Sequence, residues 1–109
     1  MVAFGVAVGL CATLIFATPA QAAKSRCNNY SGYLCTWTEA RYGGLWAAFP
    51  RDSFSCWEQV RAFNSLWNRT SYKVRVWSGA ACSGHGTEWQ PGESTLQLGY
   101  TAVSYQFFR

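Results

Sequence analysis

Charged residues are scarce in this chain, and side chains that support acid–base or metal chemistry are few. Only 13% of its 109 residues are charged, and it contains a single histidine, His85. A two-histidine zinc signature is therefore excluded, and no two cysteines have the C-x2-C spacing of a zinc ribbon. No segment matches a nucleophile elbow or a paired-carboxylate cleft. These absences predict a protein without catalytic residues, a metal site or a cofactor, which is not an enzyme.

The chain also lacks a cluster of basic residues. Its nine lysines and arginines exceed its five acidic residues and give a net charge of +4, but they are spread along the sequence. This distribution does not fit a nucleic-acid-binding surface. A mild positive charge keeps a protein soluble and could favour anionic partners such as cell-wall polymers.

The N-terminal segment has no charged side chain and is predicted to be a signal peptide. Residues 2–18 are almost entirely apolar or small, and Pro19 and then Ala20-Gln21-Ala22 follow, a pattern that signal peptidase accepts. A transmembrane helix is the alternative, but the apolar run is short and no stop-transfer charges flank it. We therefore expect residues 1–22, including Cys11, to be removed. Residues 23–109 are then a single domain of a secreted, extracellular protein, a monomer with no membrane span in its mature form.

Four cysteines remain after the predicted cleavage point. An even number of cysteines in a small exported domain predicts two disulfides, which compensate for a small hydrophobic core. Three pairings are possible, and the sequence does not decide among them. The closeness of Cys27 and Cys35 favours a bond between them, which would leave Cys56 to pair with Cys82.

Two segments forty residues apart share one pattern, an aromatic residue followed after four residues by a bulky side chain, one spacer and glycine. The residues are Trp37, Tyr42 and Gly44 in the first copy and Trp77, Cys82 and Gly84 in the second. A repeat of this period indicates two copies of one supersecondary unit.

Alternation of apolar and polar residues predicts strands in both copies. The predicted strands are 33–37, 45–49, 65–67, 72–77, 87–89 and 102–108. Leu34 and Thr36 should face the core, and Cys35 the outer side. Residues 56–64 are the exception, since apolar residues recur there every third position and predict one or two helical turns. The pattern as a whole predicts an all-β fold of two four-strand units packed face to face.

The repeated skeleton resembles the Greek key of βγ-crystallins, in which the aromatic residue covers the hairpin and the glycine occupies the folded turn. Over nearly its whole length, the domain also resembles small exported actinobacterial proteins grouped with the streptomycete metalloproteinase inhibitor. The Tyr-Gly-Gly turn and the segment Trp67-Asn68-Arg69-Thr70-Ser71-Tyr72 are the motifs that carry this resemblance. This resemblance implies a disulfide-stapled βγ-crystallin-like sandwich and a place in a peptidase-inhibitor family.

Many βγ-crystallins bind calcium through a segment that begins with two oxygen-bearing residues. Here the first such segment begins with Val60 and Arg61, and the second, near residues 101–105, has no carboxylate. Because calcium takes six to eight oxygen ligands, we expect no calcium site of this kind.

Two loops could insert into the cleft of an extracellular peptidase. A rigid loop binds well because it loses little conformational entropy when it enters the cleft. The first loop, residues 49–56, contains Arg51, Asp52, Ser53 and Phe54, and Phe54 would suit a thermolysin-like specificity pocket. The second, residues 82–86, contains Ser83 and His85. The target could be a metallopeptidase or a serine peptidase.

Aromatic richness supports a different class of function. The chain has six tryptophans, six tyrosines and seven phenylalanines, and aromatic faces are common on sugar-binding surfaces. An exposed cluster of Trp46, Trp57 and Trp67 would favour a carbohydrate- or cell-wall-binding module, or a toxin of the same fold. The aromatic residues of a small β domain also fill its core. Asn68 is expected to bond to the backbone of the turn that precedes Tyr72.

Overall fold

The computed structural model describes residues 19–109 of the chain. A short helix and a 3₁₀ turn precede eight strands. The elements are α1 (Pro19–Lys24), the 3₁₀ turn (Ser25–Cys27), β1 (Tyr33–Glu39), β2 (Gly43–Pro50), β3 (Trp57–Phe63), β4 (Ser65–Asn68), β5 (Lys73–Gly79), β6 (Ser83–Trp89), β7 (Ser94–Thr95) and β8 (Ala102–Phe108). Most of the expected signal peptide, including Cys11, lies outside the described residues. The expected cleavage point after Ala22 lies within α1 and stays a prediction.

The strands form two antiparallel four-stranded sheets, which confirms the predicted all-β fold. The first sheet has the order β2-β1-β4-β7 and the second β3-β8-β5-β6. Each sheet therefore contains three strands from one half of the chain and one from the other. The halves are interlocked rather than simply packed face to face. The specific relation to βγ-crystallins stays a prediction.

The prediction of helical turns at residues 56–64 is wrong, because this segment forms β3. Trp57 pairs with Tyr105 and Phe63 pairs with Ala102 on β8, and the register shifts between the two ends. This irregularity breaks the period-two pattern, so a spacing of three between apolar residues imitated a helix.

The two halves repeat one another in strand register. Leu34 pairs with Phe49 across β1 and β2, and the equivalent Val74 pairs with Trp89 across β5 and β6. Each pairing is interrupted at the same place, just before the hairpin turn. The repeat found in the sequence is thus a structural duplication.

Both hairpin turns have the same left-handed backbone. Positive φ angles occur at Arg41, Tyr42 and Gly44 in the first turn and at Ala81, Cys82 and Gly84 in the second. A Cβ added at Gly44 would collide with the Thr38 hydroxyl, and one at Gly84 would lie 2.8 Å from Ser78 Oγ. These two positions therefore require glycine.

A buried serine in the last strand of each half holds the folded hairpin. Ser65 Oγ accepts a hydrogen bond from the Tyr42 amide at 3.1 Å and donates to the Glu39 carbonyl at 2.7 Å. Ser104 does the same in the second half, accepting from the Cys82 amide at 3.0 Å and donating to the equivalent carbonyl at 2.7 Å. Sequence analysis did not identify either serine.

The core lies between the sheets, and a second apolar cluster lies on the outer face of the first sheet. The core consists of Leu34, Phe63, Leu66, Val74, Val76, Ala102, Tyr105 and Phe107. The outer cluster consists of Cys27, Cys35, Trp37 and Tyr42, and Ala20 and Ala23 of the N-terminal segment pack on it. Cys35 faces outward as predicted but is fully buried, because that segment covers it.

Candidate functional site

Two disulfides join the cysteines in the pairing that their spacing favoured, Cys27–Cys35 and Cys56–Cys82. They differ in environment. Both sulfurs of the first bond belong to fully buried residues, whereas Cys56 is exposed and Cys82 is half-buried. The first bond stabilises the covered face of the first sheet, and the second lies at the surface, where it ties two loops together.

The Cys56–Cys82 bond connects the loop between β2 and β3 to the tip of the β5–β6 hairpin. That tip folds back across the second sheet, since the Cys82 amide reaches Ser104 on β8. The Ala81 amide also donates to Glu58 Oε2 at 2.8 Å, immediately after the loop. A covalent bond and a charge-assisted hydrogen bond therefore fix the end of the loop.

Phe54 fixes the interior of the loop. Its half-buried ring packs on the core and meets the Tyr72 ring edge to face, with centroids 5.3 Å apart. The guanidinium groups of Arg51 and Arg109 lie 4.9 and 4.4 Å from the centre of the Phe54 ring. The Phe54 carbonyl accepts a hydrogen bond from Gln106 Nε2 at 2.8 Å. The structure therefore places this side chain inside the loop, not at its tip.

The outer side of the loop presents other groups. Asp52 and Ser55 are exposed, and Trp57, at the start of β3, is 43% exposed. Ser53 Oγ accepts hydrogen bonds from the Ser55 amide and from Trp57 Nε1, both at 3.2 Å. Trp57 was not among the predicted loop residues, because its segment was interpreted as helical. In the sequence it was considered only with Trp46 and Trp67, as part of a possible sugar-binding cluster.

Asp52 of the loop also influences the ionisation of Tyr105, a residue of the core. Burial, together with the nearby Asp52 carboxylate, raises the pKa of Tyr105 to about 12. The phenol is therefore neutral at ordinary pH and forms part of the floor beneath the loop.

The second candidate loop lies apart from the first, except where Cys82 joins them. Ser83 is exposed and donates to the Ala80 carbonyl within its own turn at 2.6 Å. His85 is exposed on β6, and its ring meets the Tyr100 ring edge to face at 4.7 Å. Because β6 and β3 are opposite edges of the second sheet, His85 and Trp57 do not belong to one surface loop.

The three tryptophans that could have formed a sugar-binding cluster do not come together. Trp46 and Trp67 are half-buried against the outer cluster of the first sheet, and Trp57 belongs to the second sheet. Trp67 lies between Lys24 and Arg69, whose charged groups are 4.4 and 4.8 Å from the centre of its ring. This arrangement gives no support to the carbohydrate-binding alternative.

Asn68 has the backbone-binding role expected from the sequence. The side chain is fully buried, and Nδ2 donates to the carbonyls of Tyr72, Trp89 and Gln90 at 2.8, 3.0 and 3.2 Å. Oδ1 accepts from the amide and the hydroxyl of Thr70 at 3.1 and 2.7 Å. One side chain thus joins the segment between the two halves to the end of β6.

Over residues 19–109, no group of three or more His, Cys, Asp or Glu side chains is arranged to hold a metal ion. The helices of this same region are all too short or too polar to cross a membrane.

A comparison with protein families decides among the function classes. The model of peptidase inhibitor family I36 matches residues 20–88, more than half of the chain. The chain belongs to peptidase inhibitor family I36. This I36 protein is therefore a peptidase inhibitor and not an enzyme, and its partner is a peptidase, which confirms the family resemblance seen in the sequence. No curated protein sequence matches the chain significantly. The matched region contains the loop, both disulfides and all of the β5–β6 hairpin except Trp89.

Proposed function

We propose that this I36 protein is secreted and blocks an extracellular peptidase by placing residues 51–57 in the active-site cleft. These residues are the loop between β2 and β3 together with the first residue of β3, and we call them loop 51–57. The main support is that the loop is fixed from within and at its end while its outer side remains exposed. Phe54 and the Cys56–Cys82 bond hold it, and Asp52, Ser55 and Trp57 face outward. Inhibition would then be stoichiometric occlusion of the cleft, without chemistry by the inhibitor.

Rigidity is the physical basis of this proposal. A flexible peptide loses conformational entropy when a cleft orders it, and each immobilised side chain adds to that cost. In this loop the bonds from Gln106 to the Phe54 carbonyl and from Trp57 to Ser53 already restrict the backbone and the side chains. Most of this conformational entropy is therefore lost when the inhibitor folds, and little remains to be lost on binding.

Trp57 is the residue that we expect to contribute most to binding. Tryptophan is enriched among residues that dominate interface energies, because it buries a large apolar area and donates one hydrogen bond. The indole already donates to Ser53 Oγ at 3.2 Å, so its orientation is restricted before binding.

The loop containing Ser83 and His85 is the second candidate. It shares the Cys56–Cys82 tether, but the His85 ring packs on Tyr100 at the opposite edge of the sheet. We therefore place the principal contact at residues 51–57.

Substitution of Trp57 tests the loop directly. We expect Trp57→Ala to weaken inhibition by at least about thirtyfold, roughly 2 kcal/mol. The measurement is the inhibition constant of the oxidised protein against a thermolysin-like metallopeptidase and a subtilisin-like serine peptidase. Tyr30→Ala is the matched control, because Tyr30 is an exposed aromatic residue associated with the first sheet, and it should leave the constant unchanged.

Other results would redirect or end the proposal. If Trp57→Ala and a glycine-serine replacement of residues 52–55 both leave inhibition within threefold, loop 51–57 is not the contact. A loss on His85→Ala would then identify the second loop. If the oxidised protein inhibits neither peptidase at micromolar concentration, both target classes proposed here fail.

Secretion rests on the predicted signal peptide and on the two disulfides, which persist in oxidising compartments. N-terminal sequencing of the exported protein tests it, and we expect the chain to begin at Ala23. A protein retained inside the cell with reduced cysteines would contradict the proposal.

A further inference from the structure

The described part of the chain contains four edge strands, and β2 is the least protected of them. β7 has only two residues, β3 has a register shift together with Glu58 and Arg61, and β6 contains Glu88. β2 has eight residues and no charged side chain, and within residues 19–109 it pairs only with β1. The register shift of this pairing and the only proline of the strand, Pro50, lie at its two ends, so residues 45–49 carry neither device. Charges, bulges and short length are the features that normally keep an edge from pairing with another strand.

A groove of about 260 Å³ opens beside β2, between the two sheets. Its lining consists of Thr36, Thr38, Leu45, Trp46, Ala47, Phe49, Arg61 and Phe63. Leu45 is 59% exposed at the rim, the largest exposure of any bulky apolar residue described. Arg61 is the charged residue of the lining, and the salt bridges found over residues 19–109 do not include it.

The second half of the molecule shows how the equivalent opening is filled. Tyr100 lies against the inner face of β6, where its hydroxyl is 2.7 Å from Thr87 Oγ1 and donates to the Val76 carbonyl at 2.9 Å. Its ring packs edge to face on His85. Burial raises the pKa of Tyr100, as expected for a phenol enclosed between the sheets.

The first half has no such aromatic residue. Tyr100 and Arg61 each precede the equivalent serines, Ser104 and Ser65, by four residues. The tyrosine that fills one opening is therefore replaced by an arginine at the rim of the other. In the register of the repeat, Thr87 and His85 correspond to Ala47 and Leu45, so the lining of the first opening is also more apolar.

We propose that the groove beside β2 binds an aromatic side chain from an extended segment of a partner protein, and that this segment pairs with β2 as an added strand. The aromatic ring occupies the space that Tyr100 fills in the other half. A carboxylate on the same segment meets Arg61, in keeping with the net charge of +4. Main-chain hydrogen bonds to the free edge supply affinity, and the groove supplies specificity. This surface is separate from loop 51–57 and does not depend on peptidase inhibition.

The test is selection of phage-displayed random nine-residue peptides on the immobilised oxidised protein. We expect enriched sequences to contain an aromatic residue, strand-forming neighbours and an acidic residue. Synthetic versions should bind about tenfold more weakly to Leu45→Lys and to Arg61→Glu. Both substituted residues are exposed, so the variants should fold, which circular dichroism checks.

Two matched controls separate the groove from general effects of charge. Leu96→Lys introduces the same charge at another exposed leucine, near the opposite edge of the first sheet, and Arg26→Glu makes the same reversal at an exposed arginine of the N-terminal segment. Neither should change peptide binding by more than about twofold.

Amide hydrogen exchange locates the bound peptide. On binding, amides of β2 that point away from β1 should exchange more slowly, while those of β6 should not change. The proposal is overturned if no peptide is enriched, if Leu45→Lys binds the selected peptides normally, or if protection appears elsewhere. It is also overturned if the unliganded protein sediments as a dimer with protected β2 amides, because the occupant is then a second copy of the chain.

Discussion

The two halves of the molecule agree in the bonds that shape their hairpins and differ in what covers them. Ser65 and Ser104 make the same pair of hydrogen bonds, and the two turns share their left-handed residues. By contrast, the N-terminal segment covers the outer face of the first sheet, whereas the equivalent face of the second carries Lys73, Arg75 and Glu88.

This contrast separates two kinds of requirement in a duplicated fold. The folded hairpins need a hydroxyl, a glycine and a left-handed turn at fixed positions, so those residues persist in both copies. The side chains that cover the outer face of each sheet need only fill space and give hydrogen-bond partners to polar atoms, so they can differ between the copies. The features to which we assign functions by proposal, the loop at the surface disulfide and the open groove, occur where the copies differ.

The largest expected change in the free energy of unfolding comes from a position that is polar in the first half and apolar in the second. Asn68 on β4 and Phe107 on β8 occupy equivalent registers and are both buried. Asn68→Leu should reduce the free energy of unfolding by about 4 kcal/mol, because three carbonyls and two Thr70 groups lose their partner. Phe107→Leu should cost only about 1.5 kcal/mol, because it removes apolar volume alone. Urea unfolding followed by tryptophan fluorescence measures both, and equal costs would contradict the interpretation.

An intermediate effect tests the equivalence of the two serines. Ser65→Ala and Ser104→Ala should each lower the free energy of unfolding by about 2 kcal/mol, since each leaves one amide and one carbonyl, buried or partly buried, without a partner. Because the sites lie in different sheets, the double variant should show a nearly additive loss. A difference above about 1 kcal/mol between the single variants would show that the hairpins are not held equivalently.

The last expected effect is absent at neutral pH; it is a dependence of stability on alkaline pH that belongs to the second half. The pKa of Tyr105 is about 12 in the folded protein, against 10.0 for an unperturbed tyrosine. A folded pKa above the unfolded value means that the folded state holds the proton more tightly, so this stabilisation is complete below pH 10 and is lost as pH rises towards 12. Brief urea titrations at pH 9 to 12 should show the decline, and Tyr105→Phe should flatten it. An unchanged slope in that variant would assign the decline to other groups.

Much of the fold could be predicted from the sequence because its signals are local. Alternation identified most of the strands, and the proximity of Cys27 and Cys35 favoured the correct pairing. β3 was missed because its irregular register removes the alternation, and only its pairing with β8 makes it a strand.

The candidate site was less predictable, because it depends on which side chains turn inward. The sequence predicted Phe54 as a candidate contact residue but gave no sign that its ring packs on Tyr72 and two arginines. Trp57 begins β3 next to the disulfide-bonded Cys56 and is exposed, which its sequence position alone does not reveal. The role of Ser65 and Ser104 was also hidden, since a serine in a strand gives no sign of a partner more than twenty residues away.

The exchange of third strands between the sheets has a consequence for folding. β3 completes the sheet built by the second half, and β7 completes the sheet built by the first. Neither half can therefore form its own four-stranded sheet alone, so we expect the two halves to unfold together in one cooperative transition.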